Sequence, residues 1–131
     1  VPSRGLGDVY KRQMLQAAEE NMALMQTNAG GSPHEIIEYL METVVEEYTI
    51  GVKEGAITDP GEFQDAYGFS VVALKTAKRV EGRDTTRTVE RLEALVAMWP
   101  EGGPLADSTP TPVPNVVAQT SKVVLALTDL R

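Results

Sequence analysis

Residues 47–69 read EYTIGVKEGAITDPGEFQDAYGF, and this stretch decides the fold. It begins inside a helical apolar pattern that breaks at Gly55, a residue whose missing Cβ suits a helix end. It restarts at Asp59-Pro60-Gly61-Glu62. An oxygen-bearing cap residue, proline at the first helical position and an acid at the third satisfy backbone donors that a helix start leaves orphaned. Only four or five residues would separate the two helices, so the chain must turn straight back, giving an antiparallel helical hairpin.

Upstream, Ser32-Pro33-His34-Glu35 repeats the same capping format. Ile37, Leu40, Met41, Val44, Tyr48 and Val52 then recur at helical spacing, which predicts a first hairpin helix over 33–54. Phe63, Ala66, Tyr67, Ser70, Leu74 and Ala77, with Phe69 and Val72 at the edge, predict its partner over 60–81, stopped by Gly82. Asp84 or Thr85 caps a third helix with Val89, Leu92, Val96 and Trp99 on its face, ended by Pro100. Residues 100–114 hold five of the chain's eight prolines and read as an extended loop. A last helix would align Val116, Thr120, Val123, Leu127 and Leu130, although its valines leave a strand open. Met14 to Gln26 is rich in helix formers, and TNAGGS breaks it. The expected class is all-α: a small up-down bundle of about four helices built on the 33–54/60–81 hairpin.

Residues 1–13, VPSRGLGDVYKRQ, carry no apolar period and resemble translated sequencing-linker sequence, so the domain is expected to occupy 14–131. The chain stops at Arg131 within an apolar-periodic stretch without a Gly or Asn cap. That reads as truncation, with a helix finishing at a natural C-terminus as the alternative. A length of 131 residues suits one domain. There is no cysteine, hence no disulfide, thiolate metal site or cysteine nucleophile. Even the longer unbroken apolar runs are short, for example Val123 to Leu127, against roughly 18 residues for a membrane span, so this segment does not insert by itself. A net charge of −7 argues against nucleic acid as a partner and against non-specific binding to anionic lipid.

The charge is unevenly placed. Residues 35–65 carry nine acids against Lys53 alone, whereas 75–91 carry six bases against three acids. Glu35, Glu38, Glu42 and Glu46 fall at helical steps of three and four and form one stripe. Such a stripe is tolerable as a solvated face, costing a few tenths of a kcal/mol per pair. Its hard oxygens would equally suit a hard cation.

The 47–69 stretch resembles the extracytoplasmic helical region of bacterial high-affinity iron permeases. The pattern is held here by Glu47, Tyr48, Gly51, Val52, Gly55, Ile57, Asp59, Glu62, Phe63, Asp65 and Phe69. RLEALVAMWP and the last helix are similar to that region's later helices. Gly51 stands where the family usually has Ala, and Gly68 where it often has a further carboxylate. The Arg-Glu-x-x-Glu motif of the permease's membrane helices is absent, so this chain does not conduct iron by itself. The resemblance implies a periplasmic or extracytoplasmic module of an iron uptake system. Its cargo would be an iron ion, and its partner the permease membrane domain or another iron-uptake protein.

Candidate ligands on the acidic side of the hairpin are Glu38, Glu42, Glu46, Glu62 and Asp65. His34 is the single imidazole and, at a capped helix start, is expected at the surface. It lacks the second histidine of HExxH and any partner for a Ser/His/Asp set, so a non-enzyme is expected. Ferritin-like di-metal chemistry needs Glu-x-x-His pairs on two helices, and the sequence has none. Tyr39, Tyr48 and Tyr67 offer phenol oxygens, but Tyr48 and Tyr67 lie on apolar stripes and are expected to pack. The competing function is a metal-free interaction or spacer bundle that meets a basic partner through its acidic face.

Overall fold

The computed structural model describes residues 31–100 and 109–131. The linker-like segment 1–13, the stretch Met14 to Gln26 and most of the proline-rich loop lie outside those residues. Four helices, α1 (Pro33–Gly51), α2 (Pro60–Lys78), α3 (Thr86–Val96) and α4 (Val113–Ala126), form the bundle, and a 3₁₀ turn over Leu127–Leu130 follows α4. They pack as a ring in which α1 contacts α2 and α4, and α3 contacts the same two; the α1/α2 interface is the largest. Cross-links between the ends establish the up-down order. Trp99 Nε1, just beyond α3, donates to Phe63 O at the start of α2, 3.2 Å. Thr88 Oγ1 near the start of α3 donates to Ala126 O at the end of α4, 3.2 Å. Tyr48 OH near the end of α1 donates to Thr111 O just ahead of α4.

The core is the merged apolar stripes of all four helices. Ile36, Ile37, Leu40, Met41, Val44 and Tyr48 come from α1, Phe63, Ala66, Val72, Ala73 and Ala77 from α2, Leu92 and Leu95 from α3, and Val116 and Val123 from α4. At the end where α1 passes into α2, Tyr48, Phe63, Tyr67 and Trp99 form an aromatic cluster. Tyr48 and Trp99 meet edge to face at 5.4 Å and 85°, and Tyr67 lies 5.9 Å from Trp99. Edge-to-face pairs of this kind add about 0.5–1.5 kcal/mol each beyond area burial.

The hairpin forms as expected, with a different connection. α1 ends at Gly51, not at 54. Val52–Lys53 (β1) and Ala56–Ile57 (β2) make a two-stranded antiparallel ribbon, with Val52 opposite Ile57 and Lys53 opposite Ala56. Glu54 (φ 53°) and Gly55 (φ 77°) are both left-handed, as a two-residue type I′ turn requires. The Gly51 carbonyl accepts from Thr58 N (2.8 Å) and Asp59 N (3.2 Å), so the ribbon's two ends close on the helix terminus. Val52 is buried as its place in the stripe predicts, but from a strand.

Other boundaries shift for similar local reasons. α2 ends at Lys78, and Gly82 (φ 77°) lies in the loop beyond it. Because α2 sits between α1 and α3, it buries a broader surface than one stripe. Gln64, Gly68 and Thr76 are buried, while Tyr67 and Leu74 are only partly so. Ser70 and Thr76 satisfy their hydroxyls on the carbonyls of Ala66 and Val72. On α3 the core face is Thr88, Leu92 and Leu95, continued by Trp99, with Val89 and Val96 at the rim. Thr88 can take the inner seat because Ala126 O accepts its hydroxyl. α4 is a helix, which closes the strand alternative, and all five of its expected inward residues are buried. Pro114 belongs to its first turn, where a missing N–H costs nothing. At the two hairpin starts the caps differ. Asp59 Oδ1 accepts from Glu62 N at 3.2 Å, whereas Ser32 caps α1 without a side-chain bond and its hydroxyl lies 3.4 Å from His34 Nε2. His34 is accordingly half-buried, not fully solvent-exposed.

Candidate metal centre

The acidic side of the hairpin converges on one point. Glu47, Glu62 and Asp65 each offer a carboxylate oxygen, and these oxygens lie within 4.8 Å of one another. Glu47 sits one turn before Gly51, on the line of α1 that faces the start of α2. Glu62 is the third residue of α2, and Asp65 follows one turn later on the same side. The partial positive charge of the α2 N-terminus helps to hold the two acids that begin it. Asp59, used as the cap, adds a fourth carboxylate nearby.

The trio is electrostatically loaded. Burial, then the neighbouring Glu62 and Asp59 charges, push the Asp65 carboxyl up from its ordinary 3.8 to about 6. Glu47 Oε2 and Asp65 Oδ1 are buried with no hydrogen-bond partner on the protein. Three carboxyl groups therefore share a partly dehydrated place, with two oxygens unengaged. A cation bridging them would relieve both the repulsion and the missing bonds. All donors are hard carboxylate oxygens, the set suited to hard or borderline divalent ions and to ferric iron.

Of the five residues read from sequence, the structure brings together Glu62 and Asp65. Glu42 and Glu46 are exposed and Glu38 is half-buried, and none of the three joins the trio. Counting back from Glu46 by helical steps follows the solvated line of α1; Glu47, about 100° further round, faces α2. Its signal was present in the sequence. Glu47 lies three residues after Val44 and four before Gly51, between a core position and the point of helix contact. The phenols divide as their surroundings dictate. Tyr48 is buried, its hydroxyl is engaged with Thr111 O, and burial pushes it up to about 12, so it stays protonated. Tyr67 packs on Trp99, and Tyr39 is 52% exposed on the outside of α1.

A four-helix up-down bundle with a carboxylate trio at the hairpin end is the class of protein these observations define. The family model of the iron permease-associated 4-helix bundle domain matches residues 26–130, and the chain belongs to that family. No curated protein and no solved structure matches it. Family membership ties the chain to iron uptake as a permease-associated helical module. Among the described residues no helix is long and apolar enough to cross a membrane.

Proposed function

We propose that this domain is the extracytoplasmic module of an iron uptake system, and that it holds an iron ion transiently at Glu47, Glu62 and Asp65 before passing it to a permease membrane domain. The observation that supports this reading is the convergence of the three carboxylates, two with a buried oxygen free to ligate. Glu62 and Asp65 are retained from the residues read in the sequence, and Glu47 replaces Glu46 as the ligand from α1. Glu38, Glu42 and Glu46 supply a negative approach along α1, raising the local cation concentration without coordinating. Three monodentate carboxylates at a rim leave the remaining positions to water, so binding is weak and exchangeable, as a relay requires and a structural site would not.

The test is anaerobic calorimetric titration with Fe²⁺. The parent chain and a Glu42→Gln, Glu46→Gln variant should both show one saturable site, and a Glu47→Gln, Glu62→Gln variant should show none. A folded Glu47→Gln, Glu62→Gln chain that binds as the parent does would refute the assignment. The second reading, a spacer bundle docking a basic partner through its acidic face, predicts no saturable heat with iron and a partner affinity that falls with salt.

A further inference from the structure

The outer face of α4 differs from the outside of α1. Pro114, Val117, Ala118, Ser121 and Leu125 recur at helical steps of three and four, and all five are exposed, Leu125 by 71%. They make an uncharged stripe about three turns long on which no other described element packs. Lys122 is the single charge among the 14 residues of α4, whereas α1 carries five acids. Copies of a chain of net charge −7 repel one another, and this stripe is where two could meet with little like charge between them.

The two flanks of the stripe carry opposite charge. α4 lies between α1 and α3. Gln119 Nε2 donates to Arg91 O at 2.9 Å and Ala126 O accepts from Thr88 Oγ1, so the line through Gln119, Lys122 and Ala126 is the α3 side. Lys122 is exposed on that side, and α3 adds Arg91; Arg87 is already paired with Asp129. The other flank is acidic. Glu47 and Gly51 face α2, where Gly51 abuts the backbone of Phe63. Glu38 and Glu42 stand nine residues before them, two and a half turns round, and so lie on the side of α1 away from α2, bordering α4. The link from Tyr48 near the end of α1 to Thr111 just ahead of α4 sets these helices antiparallel. The second half of α4, with Lys122, is therefore level with the first half of α1, with Glu38.

We propose that this face seats a second copy of the same chain, in a two-fold pair whose axis runs along α4. Charge selects the parallel arrangement. With the axis along the helices, the acidic flank of each copy meets the basic flank of the other, Glu38 and Glu42 opposite Lys122, on both sides of the seam. An antiparallel two-fold pair would instead set Lys122 against its own copy and acid against acid. Ala118 and Ser121 are small enough to let the two α4 helices approach, while Val117 and Leu125 supply the apolar burial. The stripe is one helix wide, which puts the pair at the small end of specific interfaces, so it forms reversibly. Both copies then turn their hairpin ends, with Glu47, Glu62 and Asp65, the same way.

Sedimentation equilibrium of the full chain, from micromolar to near-millimolar concentration, tests this. The parent should show a monomer–dimer equilibrium whose affinity falls as salt rises, because the flanking charges are exposed. Leu125→Glu changes an exposed position and leaves the core alone, so it should keep parental circular dichroism. It should raise the dissociation constant about tenfold or more, since each copy buries the new charge against the other. Lys122→Glu should weaken the pair about threefold or more, two exposed contacts being reversed at once. Adding Glu38→Lys and Glu42→Lys to that same chain reverses both flanks and should restore the dimer, which a general loss of fold or solubility would not allow. A parent that stays monomeric up to the highest concentration, as it would if this face served a different partner, overturns the proposal. So does a dimer that Leu125→Glu leaves unchanged. A dimer weakened by Leu125→Glu but indifferent to Lys122→Glu, or not restored by the added lysines, overturns the parallel pairing and the proposal with it.

Discussion

Replacing Asp65 by Asn should stabilise the metal-free fold above pH 6 by about 1 kcal/mol while weakening cation binding. Asp65 has its carboxyl raised from 3.8 to about 6 in the folded chain. An acid raised on folding is ionised in the unfolded chain first. Below about pH 4 the group is protonated in both states and imposes no penalty. Between about pH 4 and 6 the unfolded state has lost its proton and the folded state has kept it, so stability falls as pH rises. Above 6 the penalty is complete and constant. At 1.36 kcal/mol per pH unit the full gap corresponds to roughly 3 kcal/mol, and the partial exposure of this carboxylate reduces that to about 1 kcal/mol. Asn keeps the shape and removes the charge. Urea unfolding of the parent and Asp65→Asn at a series of pH values from 4 to 8, without metal, measures the difference directly. The two curves should coincide near pH 4 and separate towards 6, with the variant above. A variant equal to or less stable than the parent at pH 7.5 would refute the electrostatic loading of the trio.

Leu40→Ala, at a fully buried position of α1, should cost roughly 2–5 kcal/mol in the same assay, and Leu74→Ala, only partly buried, clearly less; equal costs would mean the faces of α1 and α2 are misassigned. Trp99→Phe keeps an aromatic ring but removes the indole donor to Phe63 O, and should lower stability by about 1–2 kcal/mol through the lost hydrogen bond and the smaller ring; a change below about 0.5 kcal/mol, the level of an ordinary surface substitution, would show that the Trp99 link does not hold α3 to the start of α2.

The bundle was legible in the sequence because its signals are local. Proline at both hairpin starts, the Asp59 cap and the apolar steps of α1 and α4 each specify an element from a few adjacent residues. The misreadings arose where distant contacts decide. Thr88 enters the core because Ala126 O accepts its hydroxyl, a partner 38 residues away. α2 buries a second face because α3 packs there, which its own period does not announce. The ribbon over residues 52–57 was hidden because Val52 fits both a helical stripe and a strand, and the choice follows from Gly51 O receiving Thr58 N. The candidate site divides in the same way. Glu62 and Asp65 are announced by the capped start of α2. Choosing Glu47 over Glu46 needs the rotation of α1 against α2, which the close contact at Gly51 sets and spacing within one helix does not reveal.

The most direct measurement is anomalous X-ray scattering from crystals of the full chain equilibrated with Fe²⁺ under anaerobic conditions, or with Mn²⁺. One peak is expected among Glu47, Glu62 and Asp65, at about 2.0–2.3 Å from an oxygen of each, with water completing the coordination. A peak on the Glu38, Glu42 and Glu46 line, or none at the trio at saturating metal, would contradict the assignment.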